Sequence, residues 1–196
     1  MNSVIIINKE KDMTSRDVVN KLCKLLHTKK IGHTGTLDPL ATGVLVVCTE
    51  RYTKLVDELT SLDKEYVAKI KLGIETDTLD ITGNVIKESN VIPSKEEVKN
   101  ILNSFVGKSI QEVPKYSAIK INGKKLYEYA REGIEIELPK HEIEVFNIEL
   151  IDFINDEITF KVHVSKGTYI RSLIRDICYK LNTVGTMFSL ERTKQG

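Results

Sequence analysis

Two alternating runs, Ile143–Phe153 and Glu157–Ser165, meet at Ile154-Asn155-Asp156, and no other feature constrains the fold as tightly. An apolar residue at every second position marks a strand with one buried face, and a short polar break between two such runs is a hairpin signal. In the second run Ile158, Phe160, Val162 and Val164 face one side, with Thr159, Lys161 and His163 on the other. The period then changes from two to that of a helix: Ile170, Leu173, Ile174, Ile177 and Leu181 form one stripe.

The rest of the chain repeats this mixture. Val4–Asn8 reads as a strand, and Ser15 is the expected cap of a helix carrying Val18, Val19, Leu22, Leu25 and Leu26. Gly43–Thr49 reads as a buried strand and Tyr66–Leu72 as an alternating one. Ser94-Lys95-Glu96-Glu97 is a capping box opening a helix through Val98, Ile101, Leu102 and Phe105. Strands and helices mix with hairpins rather than with regular strand-helix-strand units. The fold class is therefore α+β, a mixed and mostly antiparallel central sheet flanked by helices and loops. No repeat or low-complexity linker interrupts the 196 residues, so a single domain over 1–196 is expected.

Composition excludes several classes. Hydrophobic residues make up 41%, enough for an ordinary core, while no run suits a membrane span and the N-terminus lacks signal-peptide features. Cys23, Cys48 and Cys178 stand apart in apolar segments, which points to buried free thiols in a reducing cytoplasm rather than to disulfides or zinc. Net charge is only +1, yet the segments 1–54, 55–107, 108–131, 132–157 and 158–196 carry +4, −4, +4, −8 and +5. Three basic segments could form one face for a polyanion, or remain scattered on a solvated surface.

One stretch carries chemistry. In Lys30-Ile31-Gly32-His33-Thr34-Gly35-Thr36-Leu37-Asp38-Pro39-Leu40-Ala41-Thr42-Gly43-Val44-Leu45 the single carboxylate is Asp38. Pro39 biases Asp38 towards extended backbone, and the glycines leave room for another molecule. The loop reads as one too small to carry core, built to bring a large substrate close to one acid.

These residues resemble the signature of TruB-type tRNA pseudouridine(55) synthases. Other matches run along the chain: Lys9 with Met13-Thr14-Ser15, Lys64-Glu65-Tyr66, Gly73 with Thr76-Asp77-Thr78, Val113-Pro114-Lys115-Tyr116-Ser117-Ala118-Ile119-Lys120, Gly123-Lys124-Lys125-Leu126-Tyr127, Ala130-Arg131-Glu132-Gly133, and Ser165-Lys166-Gly167-Thr168-Tyr169-Ile170-Arg171. The resemblance implies the pseudouridine synthase catalytic fold, with an RNA-contacting insertion at about 108–140; the C-terminal PUA-type extension that family members often carry is expected to be absent, a departure from the family pattern. It also implies isomerisation of uridine-55 in the T loop of tRNA, after base flipping, without metal or cofactor.

By the same resemblance Asp38, Tyr66 and Arg171 are catalytic. Asp38 would attack the base, attack the ribose or take a ribose proton; all three fit a carboxylate there. Arg171 would pair with it, and Tyr66 would stack on the flipped uracil and assist loss of the C5 proton. His33, exposed in its loop, would contact nucleotides and help hold the T loop open. Lys9 would stand at the site's edge and Tyr169 within the pocket. Lys29, Lys30, Lys115, Lys120, Lys124, Lys125 and Lys166 are the candidate phosphate contacts. Each has an ordinary alternative: a turn aspartate, an exposed first-turn arginine, a strand tyrosine, a loop histidine, a surface lysine.

The expected partner is the tRNA T arm, bound by a cytoplasmic monomer with no membrane and no obligatory protein partner. Three departures from the family pattern stand out. Glu10 and Asp12 occupy positions usually held by proline and glycine, which suggests a differently shaped loop. Arg175 stands where an acid is common, and Glu191 replaces the first arginine of a Leu-Arg-Arg motif, leaving Arg192. The rival readings are a non-catalytic tRNA-binding or folding module on the same scaffold, a guide-RNA-dependent relative with partner proteins, and a phosphate-binding enzyme. The last lacks a Gly-Lys-Ser/Thr ending and puts an aspartate where phosphate would sit.

Overall fold

The computed structural model describes residues 2–196. In chain order the elements are β1 (Val4–Lys9), α1 (Ser15–Leu25), β2 (Ile31–His33), β3 (Thr42–Thr49), a 3₁₀ turn (Glu50–Leu55), α2 (Val56–Thr60), β4 (Lys64–Leu72), β5 (Ile74–Thr76), β6 (Val85–Glu88) and α3 (Lys95–Asn103). They continue with β7 (Gly107–Glu112), β8 (Lys120–Ile121), β9 (Lys124–Lys125), α4 (Leu126–Arg131), β10 (Lys140–Ile154), β11 (Glu157–Val164), α5 (Ile170–Lys180) and β12 (Gly185–Gln195).

One eight-stranded sheet organises the molecule, in the order β1-β3-β12-β4-β11-β10-β7, with β2 added beside β3. All its pairings are antiparallel except β12 against β3. The α+β expectation therefore holds. The 143–165 hairpin is present as β10 and β11, turning at Asn155 with φ 55°. Ile158, Phe160, Val162 and Val164 are all buried, as their alternation requires.

Helix α5 lies on the core through Ile170, Leu173, Ile174 and Ile177. Burying each such side chain contributes about 1.5–3 kcal/mol. That outweighs the few tenths of a kcal/mol by which isoleucine disfavours helix, so packing rather than propensity holds α5. Ser94 caps α3 through a reciprocal pair with Glu97, as its sequence demands, and Phe105 packs on the core just past the helix end.

Four details depart from the sequence reading. Thr14, not Ser15, caps α1, in a capping box with Asp17; Ser15 instead accepts a hydrogen bond from the Leu37 amide at 3.0 Å. Leu25 ends up exposed, because α1 covers the sheet only along Val18, Val19 and Leu22. The excursion from the sheet spans 113–139 rather than 108–140, since 107–112 form the edge strand β7 paired with β10. The loop around Asp38 does carry core: Leu37, Leu40 and Ala41 are buried in the main apolar cluster. A glycine-rich loop can do so because Leu37, Leu40 and Ala41 turn inward while Thr36 and Pro39 stay out.

Strand β12 carries no clear alternation in its sequence. Register shifts between Met187 and Ser189 and between Arg192 and Lys194 break the period of two that would have marked it. Yet it fills the gap between β3 and β4. Gly43 is what lets it in. With φ 99°, Gly43 lies so close to the parallel strand that an added Cβ would stand 2.2 Å from the Arg192 carbonyl oxygen. Only glycine fits that approach.

The thiols of Cys48 and Cys178 are buried and Cys23 is half-buried, all free. No helix among the described residues is long and apolar enough to cross a membrane.

Candidate active site

The Asp38 loop runs between β2 and β3 and is tied down from several directions. The Ser15 hydroxyl holds the Leu37 amide, and the Asp12 amide donates to the Pro39 carbonyl at 2.8 Å. The Lys9 ammonium, itself buried, donates to the carbonyls of Glu10, Met13 and Pro39 at 2.9, 2.6 and 3.2 Å. Burial pulls the Lys9 pKa down, with Asp38, Asp12 and Asp17 opposing. Lys9 thus lies beneath the loop with its donors committed to backbone. Asp12 adopts φ 63°, the left-handed conformation aspartate tolerates better than most residues.

Out of this scaffold the Asp38 carboxylate projects, with 31% of its side chain exposed. Arg171 meets it as a fork: Nε lies 2.9 Å from Oδ2 and Nη2 donates to Oδ1 at 3.2 Å. Its remaining reach is used as well. Nη1 donates to the Thr78 carbonyl and Nη2 to the Tyr116 carbonyl, both at 3.0 Å. A first-turn arginine would ordinarily extend into solvent, since the helix N-terminus repels cations. Here its side chain is only 7% exposed and held by one carboxylate and two carbonyls. The Thr78 carbonyl is presented by a constrained turn in which Leu79 takes φ 63°. Hydrogen bonds from Thr76 and Thr78 to Asp80 over-determine that turn, which is how a costly conformation persists.

Tyr66 is buried on β4. Burial pushes its phenol pKa up, and Asp38 adds to the rise, while the charge of Arg192 and its hydrogen bond to the phenol oppose. Tyr169, the residue before α5, exchanges two backbone bonds with the Gln111 side chain at 2.8 and 3.1 Å and packs edge-on against His141. Its phenol pKa is raised by burial, against the nearby charge of Arg171. Asp38, Tyr66, Tyr169 and Arg171, drawn from four parts of the sequence, therefore converge.

His33 is the exception to its expected setting. It ends strand β2, paired with Val47, and is half-buried rather than exposed in a loop. Burial, then the charges of Arg16 and Arg192, lower its pKa against a bond with the Gly35 backbone, which favours the neutral ring at neutral pH. The lysines divide. Lys29, Lys30, Lys115, Lys120 and Lys166 are exposed. Lys124 pairs with Glu132 and lies over the Tyr129 ring, while Lys125 lies over Tyr127. Of the departures, Glu191 points outward while Arg192 is buried, and Arg175 pairs with Asp176 and Glu112 at 2.9 and 3.2 Å. Among the described residues no cluster of three or more His, Cys, Asp or Glu could hold a metal ion.

Comparison with known proteins gives the family and the fold. Residues 23–170 match the family described as TruB family pseudouridylate synthase (N terminal domain). Proteins named tRNA pseudouridine synthase B from Fusobacterium nucleatum and Clostridium tetani are 50% and 51% identical over the whole of this chain, which covers 68% of each of them. Among solved structures, a Cbf5-Nop10-Gar1 complex superposes with a TM-score of 0.77 at 32% identity, over 98% of this chain and 48% of that one. A chain in an H/ACA RNP bound to a substrate RNA containing 2'-deoxyuridine gives 0.73 at 30%, over 98% and 47%. The chain spans about half the length of these solved structures. Its fold is that of a pseudouridylate synthase, an isomerase. Specifically, the chain belongs to the TruB family.

Proposed function

We propose that the chain converts uridine to pseudouridine in tRNA, at position 55 of the T loop, acting as a cytoplasmic monomer without a protein partner. The relatives' names support the tRNA substrate. The position within the T loop rests on the signature around Asp38.

The reaction breaks the bond from uracil N1 to C1′, turns the base and joins C5 to C1′. N1 ends protonated and C5 loses its proton, so the change is an isomerisation. A carboxylate can hold the detached fragment or take a ribose proton during the turn. Asp38 suits either task because it is ionisable, partly open and oriented by a fork on both oxygens. That bidentate grip is the observation that carries the reading. Arg171 keeps the carboxylate aimed rather than free to rotate. Tyr66 stacks its ring on the base and serves with its hydroxyl in removing the C5 proton. Lys9 acts through the Pro39 carbonyl, positioning the loop from below. His33, Tyr169, Lys124 and Lys125 border the path of the RNA, the lysines presented by the excursion of 113–139. Drawing uridine out of a folded loop costs stacking, which contacts to the phosphates offset.

The test is pseudouridine mapping on full-length tRNA incubated with the wild type and with Asp38→Asn, alongside RNA binding. Product at position 55 from the wild type alone supports the reading. Binding without product from either protein replaces it with a tRNA-folding module.

A further inference from the structure

The turn that carries Asp38 begins near Gly35 and ends at Gly43-Val44, and one residue from the far end of the chain holds both ends. Arg192 on β12 is almost wholly buried. Its Nη2 donates to the Gly35 carbonyl at 3.1 Å and its Nε to the Val44 carbonyl at 2.7 Å. Its backbone lies directly on Gly43, its partner in the parallel register. On the opposite side β12 pairs with β4, where Arg192 is registered against Tyr66. A buried guanidinium with no carboxylate partner is costly unless backbone carbonyls take its donors. The two carbonyls it engages are those that bracket the catalytic turn.

We infer that Arg192 is a positioning residue for the reaction: it clasps the Asp38 turn at both ends and ties that turn to the strand bearing Tyr66. The inference rests on the assignment of Asp38 and Tyr66 to catalysis. No other residue type spans the same points. Lysine has one donor centre and cannot reach two carbonyls with a fixed fork, though it keeps the charge. Gln195 on the same strand adds a second tether, donating to the Thr34 carbonyl at 2.8 Å and the Leu59 carbonyl at 2.9 Å. The turn is thus docked to the end of β12 rather than supported only by its own neighbours.

The experiment compares Arg192→Lys and Arg192→Gln with the wild type by thermal melting, T-arm stem-loop binding, single-turnover kinetics and amide hydrogen exchange of residues 34–45. Expected is a folded Arg192→Lys protein with RNA affinity near wild type, kcat down by about 100-fold, and KM little changed, the split that misplacement of reacting groups produces. Exchange should rise in 34–45 and stay unchanged in β10 and β11. A folded variant with wild-type kcat and wild-type exchange in 34–45 would overturn the inference, and so would equal rises in exchange across the whole sheet. Should Arg192→Gln fail to fold, Arg192→Lys decides. The exchange measurement needs no turnover, so a wild type that makes no pseudouridine would sink the functional assignment and leave the clasp to be judged on exchange alone.

Discussion

Arg171 holds both carboxylate oxygens of Asp38 across 133 residues of sequence. Two further bonds to the carbonyls of Thr78 and Tyr116 fix the guanidinium plane, so the carboxylate is aimed by a group that cannot itself rotate. The acid stays partly open while its partner is enclosed. One face of Asp38 is thereby left open.

Asp38→Asn should remove pseudouridine formation while preserving binding of the T-arm stem-loop. Asparagine keeps the size and one acceptor oxygen but neither nucleophile nor base. Single-turnover assays with saturating RNA measure this, and turnover near the wild-type rate would take Asp38 out of the chemistry.

Arg171→Lys should be nearly as damaging as Arg171→Ala. A lysine retains the charge but loses the fork, and a loosely aimed carboxylate costs on the order of 100-fold in kcat. Rescue of the rate by lysine would mean that charge alone matters.

Tyr66→Phe keeps the ring for stacking and removes only the hydroxyl. If that hydroxyl takes part in proton removal, kcat should fall by roughly 100- to 10,000-fold with melting behaviour near wild type. A solvent deuterium or C5-tritium release assay locates the loss at the proton step.

Gly43→Ala should destabilise the fold. The left-handed φ of 99° alone costs a residue with a side chain about 1–2 kcal/mol. The methyl would also collide with the Arg192 carbonyl, forcing β12 from β3. Urea denaturation followed by circular dichroism should show the shift in midpoint, with Gly123→Ala, where a Cβ meets nothing within 4 Å, as the comparison.

Lys64 gives a pH signature. Its ammonium is buried near Arg192 and Lys166 and donates to the carbonyls of Thr60 and Leu62. Burial, chiefly, brings its pKa down to about 8 from 10.5. Between those values the unfolded chain binds the extra proton, so stability rises with pH through this window and the penalty is full below about 8. Denaturation midpoints from pH 7 to 10.5 should climb more steeply in the wild type than in Lys64→Met, and parallel curves would contradict the buried charge.

How much of this was legible beforehand follows from the range of each interaction. Alternation set β10 and β11, and a capping box set the start of α3, because both are contacts between residues a few positions apart. The motif around Asp38 named the acid, and its likeness to a known family named Arg171 and Tyr66. Sequence periodicity had no means of seeing β12, whose bulges erase the pattern, nor of placing Arg192 against Gly35 and Gly43. The half-burial of His33 and the burial of Lys9 beneath Pro39 likewise depend on what packs over them. The sequence by itself determined the residue types, the local elements and the candidate chemistry. Only the tertiary structure decided which charges are enclosed and which stay open. Enclosure is set by strands and loops distant in the chain, and a charged side chain is aimed only when carbonyls and carboxylates from those segments surround it.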